Sequence, residues 1–304
     1  MDHYILISST KEYKINLKII NFISNTIENI IGRKINPKEL SPQKAFEWKI
    51  VTPEINKNLV GLIKNFLIKE NIDFNVISSI KGRQKKLLLA DMDSTIIKEE
   101  SLDELAKLIG LEKEVSRITE EAMNGKIDFQ EALIKRVSML KNQPVEILND
   151  LKNNININIG AKELIKTMNS NGAHTVLVSG GFTFLTEYLK VILDFNFAHA
   201  NTLQISKSDN GSEILTGKVE LPILDKNAKL QLLKKYAKKF NLKLEETMCV
   251  GDGANDIEMI QKAGLGISYN GKEILNNAAD LIFKHTNLKG LLYAQGYTEN
   301  EIVS

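Results

Sequence analysis

The fold of this chain is best predicted from one stretch, Lys86-Leu87-Leu88-Leu89-Ala90-Asp91-Met92-Asp93-Ser94-Thr95. A short apolar run bounded by charge predicts a buried strand, and here it ends in two carboxylates, Asp91 and Asp93, with one residue between them. Open α/β sheets bind their ligands in the crevice beyond the carboxyl ends of the strands. Paired carboxylates at that place can hold a hard cation, and one of them can attack an electrophile.

Two other interpretations of this carboxylate pair were considered. An aspartate just past a strand often only begins a turn or caps a helix. A calcium loop is excluded, because Thr95 and Ile96 stand where that loop needs a third acid or asparagine and then glycine. The pair alone is therefore suggestive, and other stretches have to decide its role.

Composition indicates a globular protein without a general affinity for anions. The chain has 304 residues, 43% of them apolar, with 40 Lys and Arg against 38 Asp and Glu. This balance gives no field that would steer the chain to nucleic acid or to an anionic membrane, so we expect neither partner. No window is long enough to span a membrane, and we see no signal peptide. The single cysteine, Cys249, fits a reducing compartment, which makes the cytoplasm the expected location.

The first part of the chain, about residues 1–80, predicts a small α/β module. Its hydrophobic pattern predicts strands at 4–7, 45–51 and 73–77, and helices at 17–31 and 56–70. The order of these elements resembles that of regulatory ACT domains, which is a likeness of fold only. A polar, basic segment at 78–86 then predicts a linker rather than a nucleic-acid patch, because no aromatic residues are interleaved with its charges.

The second part, about residues 81–304, predicts an α/β domain with a predominantly parallel sheet. Its first strand is followed by a helical block, with helices predicted at 102–109, 112–123, 129–140 and 145–151. This block is too long for an ordinary crossover between strands, so we interpret about 97–157 as a helical cap over the site. After it, strands and helices alternate again to the end of the chain.

Two further predicted strands end in polar clusters that a phosphate site could use. Ser179 and Gly180 offer a hydroxyl and exposed backbone N–H groups before a helix, and Asp252 and Asp256 add acid beside small residues. Lys229, on a long basic helix between these clusters, could neutralise a phosphate oxygen.

Together these stretches resemble the four signature motifs of the haloacid dehalogenase superfamily. The matching strings are Asp91-Met92-Asp93-Ser94-Thr95, Ser179-Gly180-Gly181-Phe182, Lys229, and Gly251-Asp252-Gly253-Ala254-Asn255-Asp256. In the helical block, three strings look like the cap of the phosphoserine phosphatase family: Glu100-Ser101-Leu102-Asp103-Glu104, Glu121-Ala122-Met123 and Lys135-Arg136-Val137. The resemblance begins near Lys86 and runs to the carboxyl end, although the stretch from Tyr269 to Glu273 follows the family only loosely.

The resemblance implies an Mg²⁺-dependent hydrolysis of O-phosphoserine with an aspartyl-phosphate intermediate. It implies that Asp91 is the nucleophile and Asp93 the general acid and base, while the Asp91 and Asp252 carboxylates and the Asp93 backbone carbonyl hold Mg²⁺. It further implies that the following residues bind phosphate or substrate: Ser179, Gly180, Lys229 and Asn255. Asp256 would orient Lys229 or water around the metal.

Substrate choice can be argued from charge. O-phosphoserine carries an ammonium and a carboxylate beside its phosphate, so a closed pocket needs one anion and one cation on the cap. Glu100 and Arg136 match the family residues with these tasks, and Met123 and Phe129 match its apolar lining. A charged residue on a helix is otherwise usually just solvated.

Three alternatives remain open from the sequence. The same covalent intermediate could pass its phosphate to another alcohol, such as homoserine, or the enzyme could act on another small phosphomonoester. A non-enzymatic alternative is an amino-acid-sensing module in residues 4–79. We expect a monomer or a homodimer, and the sequence does not distinguish them.

Overall fold

A computed structural model of the chain describes residues 1–10, 12–79, 82–123 and 127–304. Ile80 and Lys81, which belong to the predicted linker, lie outside the described residues, and so do the side chains of Met123 and Phe129. Within the described ranges, no helix combines the length and the apolar character needed to cross a bilayer.

The amino-terminal module is a four-stranded antiparallel sheet with two helices on one face. Its elements are β1 (Asp2–Ser8), α1 (Leu17–Ile31), β2 (Lys38–Ser41), β3 (Ala45–Val51), α2 (Lys57–Leu67) and β4 (Asp73–Ser79). The strand order is β2-β3-β1-β4, and the βαββαβ sequence of elements is that of ferredoxin-like units. Asn16 and Asn56 cap the two helices with their side chains. β2, a short edge strand of mixed polarity, was not predicted from the sequence.

The rest of the chain is built on a six-stranded parallel sheet, as the sequence predicts. Its strands are β5 (Leu87–Asp91), β6 (His174–Phe182), β7 (Phe197–Asn201), β10 (Thr247–Gly251), β11 (Gly266–Tyr269) and β12 (Leu281–Phe283). They lie in the order β12-β11-β10-β5-β6-β7, so β5 is central and every residue of it is buried. The sequence analysis also missed β7, the edge strand beside β6.

Helices cover both faces of this sheet because successive side chains of a strand point to opposite sides. They are α7 (Ala161–Ser170), α8 (Thr183–Leu193), α9 (Lys226–Lys239), α10 (Ile257–Lys262), α11 (Glu273–Asn276) and α12 (Gly290–Ala294). Leu87 and Leu89 pack in one apolar cluster with Leu233 of α9, while Leu88 and Ala90 belong to another. Alternate side chains of the central strand β5 therefore pack into two separate apolar layers, one on each face of the sheet.

The predicted helical block lies between β5 and β6. It consists of α3 (Ser101–Leu108), α4 (Glu112–Met123), α5 (Phe129–Ser138) and α6 (Ile147–Asn154). An antiparallel hairpin, β8 (Leu203–Lys207) and β9 (Glu213–Val219), joins this layer, since Asn142 N donates to Leu215 O and Leu215 N donates to Gln143 O, both at 2.9 Å. The cap layer therefore includes a segment far along the chain from the four helices.

The amino-terminal module docks onto the open edge of the parallel sheet through side chains of β4. Asn75 forms two hydrogen bonds with the backbone of Ile282 in the edge strand β12, at 2.9 and 3.0 Å. The Asp73 carboxylate accepts hydrogen bonds from the backbone N–H groups of Lys284, His285 and Thr286, at 2.8 to 3.2 Å. These bonds satisfy backbone groups that an edge strand would otherwise leave without partners.

Candidate active site

The three polar clusters of the sequence meet because β10, β5 and β6 are neighbours in the sheet. Asp91 is the last residue of β5, Asp252 follows β10, and Ser179 lies in β6. All three are buried, with exposed fractions of 4%, 8% and 0%. Parallel strands place their carboxyl ends at one edge of a sheet, so residues far apart in the chain share one crevice.

Lys229 connects two of the carboxylates at the floor of this crevice. Its Nζ lies 2.6 Å from Asp91 Oδ1 and 2.6 Å from Asp256 Oδ1, and the residue is 1% exposed. Burial lowers the pKa of a lysine, but the Asp256 and Asp91 carboxylates reverse this and raise the pKa of Lys229 above its ordinary value. The ammonium is therefore charged at every physiological pH.

The Asp256 carboxylate is fully engaged in holding Lys229 and the loop after β10. Its Oδ1 binds Lys229, and its Oδ2 accepts hydrogen bonds from the backbone N–H groups of Asp252 and Gly253 at 3.2 and 3.3 Å. A Cβ atom on Gly251 would overlap this carboxylate, so glycine is required there by space. Asp256 is thus placed to orient Lys229.

The donor set of the crevice fits a hard divalent cation. Asp91, Asp252 and Asp256 each bring a carboxylate oxygen into a group whose atoms lie within 4.8 Å of one another. The Lys229 ammonium pairs with only two of these three carboxylates, so negative charge is in excess, and oxygen-only ligands suit hard cations. Since Asp256 is already engaged on both oxygens, Asp91 and Asp252 are the better carboxylate ligands.

The excess of negative charge also raises the pKa values of the aspartates in this group. Burial, followed by the neighbouring Asp256 carboxylate, raises the pKa of Asp91 well above its ordinary value. The same two causes raise the pKa of Asp252 to about 6. A bound cation would counter both effects, because it stabilises the ionised carboxylates.

Asp93 is held by one donor from the sheet and one from the cap. Ser179 Oγ donates to Asp93 Oδ2 at 3.0 Å, and the backbone N–H of Ser101, at the start of α3, donates to Asp93 Oδ1 at 2.8 Å. Burial raises the pKa of Asp93, while the bonds from Ser101 and Ser179 oppose that rise. A buried carboxyl with a raised pKa is suited to moving protons.

A cavity of 560 Å³ opens above these groups, between the strand ends and the cap. Asp91, Asp93 and Asp252 line its floor, and Glu100 and Arg136 line its walls. Gly180 and Asn255, two further residues predicted from the sequence, also line it. Of the predicted site residues, the structure therefore brings all those with described side chains to this cavity or to its floor.

Glu100 and Arg136 supply opposite charges on the cap side of the cavity. Glu100 Oε1 accepts a hydrogen bond of 2.7 Å from Ser94 Oγ. Desolvation by the cap and the nearby Asp93 carboxylate raise the pKa of Glu100 to about 7, although part of its surface faces the cavity. The Arg136 guanidinium donates through Nε to the carbonyl of Ala132 at 3.3 Å and through Nη1 to Thr119 Oγ1 at 3.4 Å, which leaves three of its five N–H groups for a ligand.

Lys272 is a cavity residue that the sequence analysis set aside. It lies in the turn after β11 and lines the cavity, and its backbone N–H donates to the Asp252 carbonyl at 2.8 Å. Its ammonium acts to lower the pKa of both Glu100 and Asp252, against the burial that raises them. The sequence offers only a basic residue three positions after the end of β11, which is too common to single out a site.

Comparison with known proteins identifies a family model and similar proteins. Residues 85–264 match the model described as haloacid dehalogenase-like hydrolase. A probable phosphoserine phosphatase of Schizosaccharomyces pombe is 42% identical over 259 residues, which are 84% of this chain and 86% of that protein. A phosphoserine phosphatase of Methanocaldococcus jannaschii is 42% identical over 210 residues, 69% of this chain and 97% of that protein.

The fold is shared with solved structures as well. The crystal structure of a probable phosphoserine phosphatase from Vibrio cholerae, in an unliganded form, superposes with a TM-score of 0.77 at 28% identity. The likeness covers 97% of this chain and 86% of the other, so it includes the amino-terminal module.

Proposed function

Since this chain belongs to the haloacid dehalogenase-like hydrolases and, among them, to the phosphoserine phosphatase family, we propose that it hydrolyses O-phospho-L-serine to L-serine and phosphate. It is a phosphoric monoester hydrolase, and this reaction would be the last step of serine biosynthesis. One observation carries the choice of substrate. The cavity above Asp91 and Asp93 also contains an anion, Glu100, and a cation, Arg136, on its cap side.

The chemistry proceeds through the two aspartates at the end of β5. An Asp91 carboxylate oxygen attacks phosphorus, a new P–O bond forms, and the bond from phosphorus to the serine oxygen breaks. Asp93 gives a proton to the departing serine oxygen, so L-serine leaves as the neutral alcohol. Asp93 then takes a proton from a water molecule, whose oxygen attacks phosphorus and releases phosphate and the free Asp91 carboxylate.

Haloacid dehalogenase-like phosphatases use a divalent metal, and we propose Mg²⁺ for this chain. The Asp91 and Asp252 carboxylates and the Asp93 backbone carbonyl would hold it, in agreement with the oxygen-only donor set. Bound Mg²⁺ would screen the repulsion between the carboxylate and the phosphate dianion. The protein itself supplies the remaining positive charge through Lys229.

The transferring phosphoryl group would be held by the Gly180 N–H, Lys229 and Asn255, while the Ser179 hydroxyl, whose one hydrogen goes to Asp93 Oδ2, would line the same site. Lys229 already lies 2.6 Å from Asp91 Oδ1, so its charge stands beside the carboxylate on which phosphate would be carried. Asp256 keeps the ammonium in that place through its own contact of 2.6 Å. The burial of this pair makes the charge more effective than it would be in water.

The serine part of the substrate would lie between the two charged groups of the cap. Glu100 would bind the ammonium and Arg136 the carboxylate, with Met123 and Phe129 as the proposed apolar lining. Lys272 adds a second cation at the cavity wall, and we propose it as a second partner of the carboxylate. The single buried cysteine, Cys249, supports the cytoplasm as the proposed location.

Release of inorganic phosphate from O-phosphoserine, measured with Mg²⁺ and with a chelator, tests the proposed activity. We expect turnover that requires the metal. Product analysis in the presence of homoserine distinguishes a phosphatase from a phosphotransferase, because only the latter would form phosphohomoserine. Failure to release phosphate from O-phosphoserine, together with turnover of another phosphomonoester, would overturn the proposed substrate and leave the family unaffected.

The role of Arg136 can be tested with a substrate that lacks the carboxylate. Arg136→Ala should raise KM for O-phosphoserine by about 10-fold or more, which corresponds to about 1.4 kcal/mol, and should change KM for phosphoethanolamine far less. Arg117→Ala is a matched control, because Arg117 lies exposed on α4 of the same cap. An equal loss with both esters would indicate that Arg136 only supports the cap.

A further inference from the structure

Asn201, the last residue of the edge strand β7, has its side chain buried and hydrogen-bonded in both directions. Its exposed fraction is 3%. The amide nitrogen Nδ2 donates to the carbonyl of Gly180 at 2.8 Å, and Oδ1 accepts from the backbone N–H of Leu224 at 2.7 Å. One amide therefore connects the glycine loop of β6 with the residue just before Asp225, the cap of the helix that carries Lys229.

The amide occupies a place where the strand pairing is interrupted. β6 and β7 pair in register up to Val178 and His199, and the next pair is Phe182 with Asn201. Between these two pairs β6 has three residues and β7 has one. The regular hydrogen bonds between the two strands therefore do not hold the backbone from Ser179 to Gly181. The Asn201 side chain supplies the donor that the ladder lacks for the Gly180 carbonyl.

Holding this carbonyl fixes the direction of the next N–H group. In a trans peptide the carbonyl of Gly180 and the N–H of Gly181 point in opposite directions. The Gly181 N–H donates to Ser179 Oγ at 2.8 Å, on the side away from Asn201. A hydroxyl has one hydrogen, and because Ser179 Oγ accepts from Gly181, that hydrogen is free to be donated to Asp93 Oδ2 at 3.0 Å.

We propose that Asn201 is a positioning residue for the general acid of this enzyme. A continuous series of hydrogen bonds leads from the Asn201 amide through the Gly180–Gly181 peptide and the Ser179 hydroxyl to the Asp93 carboxylate. The series holds one Asp93 oxygen toward Ser179 while the Ser101 N–H holds the other. Asn201 itself touches neither substrate nor reacting atoms, and its role rests on the proposed function of Asp93.

Close packing around Gly181 supports this role, because the Gly180–Gly181 peptide cannot move toward the Asp93 carboxylate. A Cβ atom on Gly181 would lie 2.9 Å from Ser101 Oγ, 3.0 Å from Asp93 Oδ2 and 3.0 Å from Ser179 Oγ. The peptide is thus packed directly against the groups that it orients. A change in its tilt would move the Ser179 hydroxyl and the Asp93 carboxylate together.

Asn201→Asp is the sharpest test, since it keeps the shape and the acceptor for Leu224, while it replaces the donor to Gly180 with a carboxylate oxygen and adds a charge. We expect kcat for O-phosphoserine to fall by about 10- to 100-fold, with KM changed by less than about 3-fold. Asn196→Asp is the control: Asn196 Oδ1 accepts from Thr175 N at 2.9 Å, at the opposite end of the same strand pair. The control should retain kcat within about 2-fold.

A second substrate separates a misplaced acid from a general defect. The leaving group of p-nitrophenyl phosphate departs without a proton, so the burst of nitrophenolate in a rapid-mixing experiment does not need Asp93 as an acid. We expect this burst rate in Asn201→Asp to stay within about 3-fold of the wild type. Equal losses with both esters, or a kcat for O-phosphoserine equal to that of the control, would overturn the proposal.

The outcome is independent of the identity of the natural substrate. If the wild type does not hydrolyse O-phosphoserine, the proposed function fails, and the same comparison is made with the aliphatic phosphomonoester that it does hydrolyse. If Asn201→Asp does not fold, as judged by circular dichroism, Asn201→Ser removes the amide without adding a charge and is compared in the same way. A normal kcat in that folded variant would equally contradict the proposal.

Discussion

Replacing Lys229 with methionine should cost both activity and stability, for one electrostatic reason. The ammonium lies 2.6 Å from Asp91 Oδ1 and 2.6 Å from Asp256 Oδ1, and it is 1% exposed. Methionine has a similar length and fills the space, so the change removes the charge and leaves little cavity. Two buried carboxylates then lose their partner, and water cannot replace it.

The expected size of the effect follows from this burial. Removal of one partner of a buried ion pair costs about 3–5 kcal/mol, because the remaining charge is left uncompensated. For a chain of this size, that corresponds to a fall in Tm of about 5–8 °C. The loss should be smaller at pH 6 than at pH 8, because at lower pH the orphaned carboxylates can take up protons.

Urea denaturation followed by circular dichroism, in the presence of a chelator, measures the effect. Lys234→Met is the control, since Lys234 is exposed on the same helix, and its unfolding free energy should hardly change. Adding Asp256→Asn to the lysine variant should restore part of the stability, because one orphaned charge is removed. If Lys229→Met is as stable as the control at pH 8, the ion pair does not contribute as argued here.

Three further predictions concern other parts of the molecule. Asp91→Asn should abolish turnover, by more than about 10³-fold, and leave the protein folded; near-normal activity would exclude Asp91 as the nucleophile. Because Glu100 has a raised pKa of about 7 and must be ionised to bind an ammonium, kcat/KM for O-phosphoserine should fall as the pH drops through 7. Glu100→Gln should remove this dependence, and an unchanged pH profile would argue against the contact. Asp73→Ala should lower the free energy of unfolding by about 1–3 kcal/mol for each backbone donor left without a partner. The amino-terminal module should then unfold separately from the rest of the chain. Fluorescence of the sole tryptophan, Trp48, reports the module, and circular dichroism reports the whole chain, so the two transitions should no longer coincide. Asp209→Ala, in an exposed turn, should leave the two signals coincident.

The centre of the parallel sheet could be predicted from the sequence because its residues are buried on both faces. A continuous apolar run such as Leu87 to Ala90 fits a central parallel strand and few other environments. Once three such strands are predicted, the polar residues at their ends must come together at one edge. The helices were predicted for a similar reason, since their apolar periodicity is a local feature.

The edge strands and the contacts between distant segments could not be predicted in this way. β2 and β7 are short and only partly buried, so their residues carry no regular pattern of apolar side chains. Asp73 binds backbone groups more than 200 residues further along the chain, and Asn201 and Lys272 act through their position in space. None of these residues differs, within the sequence, from the many other polar residues of its kind.

The coverage of strand β12 by Asp73 and Asn75 has a consequence for shortened versions of the chain. Without residues 1–80 the outer strand would present free donors and acceptors to neighbouring molecules, and sheets of separate chains could join edge to edge. We therefore expect a chain without residues 1–80 to aggregate unless charged residues are first placed on β12. The amino-terminal module would then keep the protein in solution in addition to forming a domain.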